Sequence, residues 1–490
     1  MISDGAGLGD IYGATLERIK AQDEEKVKLA MATLTWACHS KRPLQVDELC
    51  HALAVEIGET DFDPENIASI DMLLDCCQGL ITVDAEASTV RLVHYTVQEY
   101  LCTYSGLFSR PHSILAETCL TYLNSHQVKN LTYYSLPPPQ SRLFLKYSAR
   151  HWGTHANKDL SDHARTLALE LLNEYQDHIS AVSLLEQVLD PSFIRAIPTS
   201  PLFSGLHCAS FFGAVELVTV LISNEGCEVD QEDLTGSTPL TWAARKGREG
   251  VVKLLLERGN VDPNHRGING ETPLEWAAIY GHEGVVKLLL EQKNVDPNLP
   301  DGGGLTPLGS AAMRGHEGVV KYLLEREDID PNHPDMNGGT PLRDAAVYGH
   351  ERVVKLLLER EDINPNHPDE YDAIPLWYAA IGGHEGVVKL LLEREDIDPN
   401  CPDIDNRTPL ANAAFNGYEG IVRLLLEWGN VDLNHTEANG ETPLQWAAIN
   451  GHEGVVKLLL EQENVDPNLP DGGGVTPLGS AARRGHEGVV

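Results

Sequence analysis

From Ser204 to the last residue, apolar and polar positions recur in one fixed pattern: a short apolar stretch opened by Thr-Pro-Leu, a glycine, a second stretch of the form Val-Val-x-Leu-Leu-Leu, and a polar segment. Thr-Pro-Leu begins at Thr238, Thr272, Thr306, Thr340, Thr408, Thr442 and Thr476, Ile-Pro-Leu at Ile374, and a degenerate Ser-Gly-Leu at Ser204, with every step 34 residues. A period of this length is decided before any single residue is read, because it marks a stack of small units that bury their apolar faces only against each other.

Within the unit that opens at Thr272, the hydroxyl of Thr272 caps a helix and Pro273 takes the first helical position, where no amide hydrogen is needed. Leu274, Ala277 and Ala278 pack that first helix, and Gly281 breaks it. Val285, Val286, Leu288, Leu289 and Leu290 form the apolar stripe of a second helix, and residues 294–301 turn the chain back.

Before Ser204 the periodicity differs. Helical segments are expected near 14–38, 44–56 and 67–78, followed by a hairpin of Leu80–Val83 and Val90–His94 around the turn Asp84–Ser88. Three helices followed by a hairpin is the order of a winged helix. Residues 104–203 read as amphipathic helix, interrupted at Pro137-Pro138-Pro139 and running into Pro-containing linkers. The expected domains are therefore 1–103, 104–203 and 204–490, in a mainly α chain.

The repeated motif T-P-L-x-x-A-A-x-x-G-H-x-x-V-V-x-L-L-L resembles the ankyrin repeat over residues 204–490, as nine repeats of an α-solenoid. It departs from that family by a 34-residue period and by keeping the histidine of the family's TPLH only as His207. The segments AMATLTWACHSKRPLQVDELCHALAV, LLDCCQGLITVD and VRLVHYTVQEYL resemble the winged helix of fungal NACHT-ankyrin proteins of the STAND class, a type also associated with GPI inositol-deacylase. That second resemblance implies signalling in self or non-self recognition, and it matches His94 to a histidine that senses a nucleotide phosphate. No Gly-Lys dipeptide occurs, so the chain carries no P-loop. His94 is then either a core histidine bonded locally or one half of a site whose other half lies upstream.

The ankyrin resemblance implies a protein partner on the concave face and finger loops, met by the pair after each Ala-Ala. The candidate contacts are Ile279, Tyr280, Met313, Arg314, Val347, Tyr348, Phe415, Asn416 and Ile449, since aromatic and aliphatic side chains there are natural interface anchors. Trp242, Trp276, Trp377, Tyr378 and Trp446 are second candidates. Residues 269–320 and 439–490 differ at five positions, which points to recent duplication. The last copy stops at Val490, without the three leucines that follow in earlier ones; each is worth about 1.5–3 kcal/mol when buried. A fragment, frayed after about Gly474, is the expectation.

Charge narrows the partners. With 73 acidic against 37 basic side chains, the formal charge of -36 opposes the phosphate neutralisation that nucleic-acid binding needs, and the expected recognition helix, residues 69–78, has no lysine or arginine. The acidic finger loops favour a basic partner or simply keep the array in solution. No apolar run is long enough to span a bilayer and no secretory signal opens the chain, so no membrane and a cytoplasmic location are expected. Nine cysteines without a CxxC pair suit buried thiols in a reducing compartment.

Chemistry is sparse. His151 and His155 are four residues apart with His163 nearby, but no acidic third ligand accompanies them. The six Gly-His-Glu copies lack the second histidine of a zinc-protease helix. No catalytic, metal or cofactor site is expected. The function reads as a non-enzymatic protein-interaction module, with the C-terminal part of a nucleotide-hydrolysing switch, or a passive scaffold, as the alternatives.

Overall fold

The structure, a computed structural model, describes residues 7–61, 63–104, 106–131, 143–189, 202–224 and 226–490. The triple proline and most of the Pro-containing linker stretch before Leu202 lie outside these residues. The chain divides into two compact units, residues 1–243 with 250–261, and residues 244–249 with 262–490.

The first unit opens with α1 (Leu8–Lys20) and α2 (Glu24–His39). The single helix expected over 14–38 is thus two, because the Asp23 side chain accepts the Lys26 N–H at 2.9 Å and starts a new helix. After β1 (Leu44–Gln45), α3 (Val46–Leu53) and α4 (Ile70–Cys76) come β2 (Ile81–Asp84) and β3 (Thr89–Leu92). The three strands form one antiparallel sheet in the order β1-β3-β2, with Leu44 opposite Val90 and Ile81 opposite Leu92. The hairpin stands where the sequence places it; β1, two residues long, is an addition.

Next come α5 (Tyr95–Thr103), α6 (Pro111–Asn124), α7 (His126–Lys129), α8 (Leu145–Ala156), α9 (Asp162–Asn173) and α10 (Ile179–Leu185). α6 packs on α8 and α9, and α8 meets α2 through Trp36, whose ring lies 5.5 Å from those of Phe144 and Tyr147. At its other end α8 carries Trp152, 5.1 Å from Phe212 in the first repeat. Gly153 permits this approach, since a Cβ there would sit 2.3 Å from the Phe212 ring. These helices and the first repeat therefore share one core.

The second unit is a stack of helix pairs. Thr272 accepts the Glu275 N–H at 3.1 Å and Pro273 opens the helix Pro273–Ile279, and the same cap recurs at Thr306, Thr340, Thr408, Thr442 and Thr476. In the second helix, Glu283–Leu290, only Val285, Val286 and Leu289 are buried. Leu288 and Leu290 are half-exposed, so the stripe is narrower than the sequence suggests. Past Gly474, where fraying was expected, the helix Pro477–Arg484 is formed, while residues 485–490 are turn and not a second helix.

A ladder of asparagine hydrogen bonds ties successive repeats together. Asn298 donates from Nδ2 to Asp328 O at 2.6 Å and accepts the Asp330 N–H at 2.8 Å, and Asn264, Asn332, Asn366, Asn400 and Asn434 repeat this bridge. Backbone groups that the loops would otherwise leave unpaired are thereby satisfied across the repeat boundary.

Candidate partner-binding strip

Each first helix is short, and its last residues extend past the Ala-Ala pair that the next repeat covers. Tyr280, Tyr348 and Arg314 are exposed there, while Ile279, Met313, Val347, Asn416 and Ile449 are half-buried. Phe415 reverses this order and is exposed, as is Ile381, in a pair whose second member is Gly382. All nine sequence candidates are therefore accessible in some part, with Tyr280, Tyr348 and Phe415 presenting 48%, 55% and 43% of their surfaces.

The backbone of these residues is fixed by the following repeat. The histidine of each Gly-His-Glu donates from Nε2 to the carbonyl of the residue just after Ala-Ala in the repeat before: His316 to Ile279 at 3.1 Å, His350 to Met313 at 3.0 Å, His384 to Val347 at 3.0 Å, His452 to Phe415 at 2.9 Å and His486 to Ile449 at 2.9 Å. The preceding glycine is required twice over: Gly315 has φ +73°, and a Cβ on it would sit 2.6 Å from the His350 ring. Tyr418 stands where the histidine would serve Ile381.

Aromatic stacking orders the same side chains. Tyr280 lies on Trp276 with ring centres 5.9 Å apart, and the Arg245 guanidinium sits 4.0 Å over Trp276. Phe415 meets Trp446 edge-on at 5.0 Å. Of the second candidates, Trp242 is fully buried and donates to Asp233 at 2.7 Å, so it belongs to the core. Trp377 donates to Arg407 O at 3.0 Å and Tyr378 to Asp369. Both hold fingers to helices.

Beneath the strip lie buried carboxyls. Glu275 accepts from Ser310 through one oxygen, its other oxygen has no hydrogen-bond partner, and burial pushes its carboxyl up to about 8. Asp344, salt-bridged to Arg343 at 2.9 Å, is pushed up by burial to about 6. Arg343 also reaches Asp369 and lies 4.8 Å over the Tyr378 ring.

This stack of capped helix pairs bears on family directly. A family model described as "Ankyrin repeats (3 copies)" matches residues 206–301, 293–369, 361–437 and 429–490, over half the chain. The chain belongs to the ankyrin-repeat family. His207 is held locally: its Nδ1 is bonded to Ser204 and its Nε2 donates to Ser237 O at 3.1 Å. A second model, "GPI inositol-deacylase, winged helix domain", matches residues 16–109. Among curated proteins, azaphilone pigments biosynthesis cluster protein L of Monascus ruber is 34% identical over 96 residues, 18% of this ankyrin chain and 20% of that protein. The match thus spans about a fifth of that relative's length.

His94 is exposed, which removes the reading of it as a core histidine; its Nδ1 accepts the Thr96 N–H at 3.3 Å and caps α5. His163 is exposed, whereas His155 is buried and bonded to His112 at 3.0 Å and Tyr147 at 2.9 Å. No group of three or more metal-ligating side chains occurs among the described residues. The finger loops were expected to meet a partner, but no residue on them was named; at their tips Ile268, Met336, Tyr371 and Ile404 are 60%, 76%, 52% and 66% exposed. Their signal was present: aligned at 34 residues, the tips vary while the helices stay constant.

Proposed function

We propose that this chain is a non-catalytic protein-binding module whose ankyrin strip, centred on Tyr280, Tyr348, Ile381 and Phe415, grips a partner protein. The observation that carries this reading is the row of exposed apolar side chains on backbone that the next repeat's histidine pins in all but one case. Such a surface loses little freedom on binding. We also propose, on the resemblance of the winged helix, that the module serves a cytoplasmic signalling protein of the NACHT-ankyrin kind. Exposure of His94, with Nδ1 committed to Thr96, supports a contact made with a group supplied by another element. The test is binding of a purified partner, identified by proximity labelling. Saturable binding should weaken at least tenfold in the Tyr280→Ala/Tyr348→Ala/Phe415→Ala variant at unchanged helical content. Full-strength binding by that variant moves the interface elsewhere.

A further inference from the structure

Three consecutive fingertips carry exposed large apolar side chains, where the tip of Ile268 stands alone. Residues 335–338, 369–372 and 403–406 carry Met336, Tyr371 and Ile404, whereas tips 301–304 and 471–474 are Asp-Gly-Gly-Gly. The three are joined through their backbones, Glu370 N–H to Asn337 O and Ile404 N–H to Tyr371 O, both at 2.8 Å. The apolar side chains therefore sit on one continuous edge, and their exposure of 52–76% means that they add little to the stability of the stack.

The charge carried by the tips themselves is one-sided. The same tips hold Asp335, Asp369, Glu370, Asp372, Asp403 and Asp405 and no lysine or arginine. Asp335, Asp369 and Asp403 turn inward, each using Oδ1 to accept the N–H groups two and four residues ahead. Glu370, Asp372 and Asp405 are exposed and lie in no salt bridge among the described residues. An apolar centre rimmed by unneutralised carboxylates selects a partner of opposite charge and rejects an acidic one.

We propose that these three fingertips dock a basic, apolar-centred segment of a partner protein, its aliphatic or aromatic side chains on Met336, Tyr371 and Ile404 and its lysines or arginines on Glu370, Asp372 and Asp405. This rests on the protein-binding reading above. Helices in a stack lie roughly 8–10 Å apart, so the segment must reach roughly 20 Å. That is about six extended residues or about thirteen helical ones.

The test uses the full chain and a fluorescein-labelled peptide of about 14 residues built from Lys, Leu and Trp, read by anisotropy. Its controls are a twin with Glu for Lys and a Lys-Ser peptide of equal charge. The Lys-Leu-Trp peptide should bind saturably and weaken with added salt. It should lose at least tenfold in affinity with Met336→Ser/Tyr371→Ser/Ile404→Ser. With Glu370→Lys/Asp372→Lys/Asp405→Lys the preference should pass to the Glu twin. Equal binding by the Lys-Ser peptide, or no loss in the serine variant, overturns the proposal. Loss confined to the Tyr280/Tyr348/Phe415 variant overturns the fingertip site and leaves the strip standing; no loss in either variant overturns both.

Discussion

Glu275→Gln should stabilise the second unit, and by an amount that depends on pH. Glu275 is fully buried, with a carboxyl pushed from 4.5 up to about 8. Below pH 4.5 both folded and unfolded chains carry the proton, and the raised value costs nothing. Between 4.5 and about 8 the unfolded chain releases the proton that the folded chain retains, so stability falls by about 1.4 kcal/mol per pH unit. At pH 7 that amounts to about 3 kcal/mol, an upper bound for a group that can relax. Gln445, in the same place 170 residues later, shows the neutral alternative: its Nε2 donates to Val475 O and Ser480 Oγ, each at 3.0 Å. Because repeat arrays open locally, the assay is amide hydrogen exchange over residues 272–320 at pH 5, 6, 7 and 8, corrected for intrinsic rates. The protection gained by Glu275→Gln should be small at pH 5 and grow to about 2–3 kcal/mol by pH 8. Gln445→Glu should produce the opposite trend over residues 442–490. A gain independent of pH, or a Gln445→Glu variant without pH dependence, would refute the reasoning.

In the first unit burial holds His155 at about 3 and His112, His151 and His178 at about 4. Above pH 6.5 the depressed values cost nothing; as pH falls toward 4 the unfolded rings take up protons that the folded rings refuse, and stability drops by up to about 1.4 kcal/mol per unit for fully buried His155 and by less for the partly exposed rings. His155→Gln should flatten the acid limb of an exchange-monitored pH titration of residues 106–189. Asn332→Ala removes its bonds to Asp362 O and from the Asn364 N–H and should cost about 1–3 kcal/mol, read as faster exchange at Asn364. Asp372 holds φ +57° where the preceding repeat has Gly338, so Asp372→Gly should raise local stability by about 0.5–1 kcal/mol, seen as slower exchange at its finger.

What the sequence made legible follows from how locally each feature is encoded. The repeat helices are set by Thr-Pro at one end and a left-handed glycine at the other, signals within about ten residues of the helix they bound. The break between α1 and α2 was equally local and was passed over, since Asp23 followed by two glutamates is an ordinary start signal. Leu288 and Leu290 were placed in the stripe because a run of leucines does not say which of them the next repeat covers. The His112–His155 pair lies beyond any sequence reading, for its members are 43 residues apart and meet only because α6 packs on α8. His94 was misjudged in its burial because a cap at the start of α5 needs only Thr96 and no core.

The two near-identical segments separate frame from face within a single chain. Their five differences are Glu275/Gln445, Tyr280/Asn450, Lys293/Glu463, Leu305/Val475 and Met313/Arg483. No fully buried apolar residue is among them, and the one fully buried pair, Glu275/Gln445, is isosteric. Two of the five fall on the short stretch after Ala-Ala, where an exposed tyrosine becomes asparagine and a half-buried methionine becomes arginine. Stacking explains the constancy, because a change in Val285 or Ala277 would disturb two neighbours at once, while Tyr280 touches a neighbour only along one side. A surface that changes chemistry between copies of one frame does not offer the same contact twice. Repetition in this array therefore supplies rigidity and reach, and the affinity for a partner must come from the few repeats whose strip and fingertips carry its complement, rather than from many equal sites acting together.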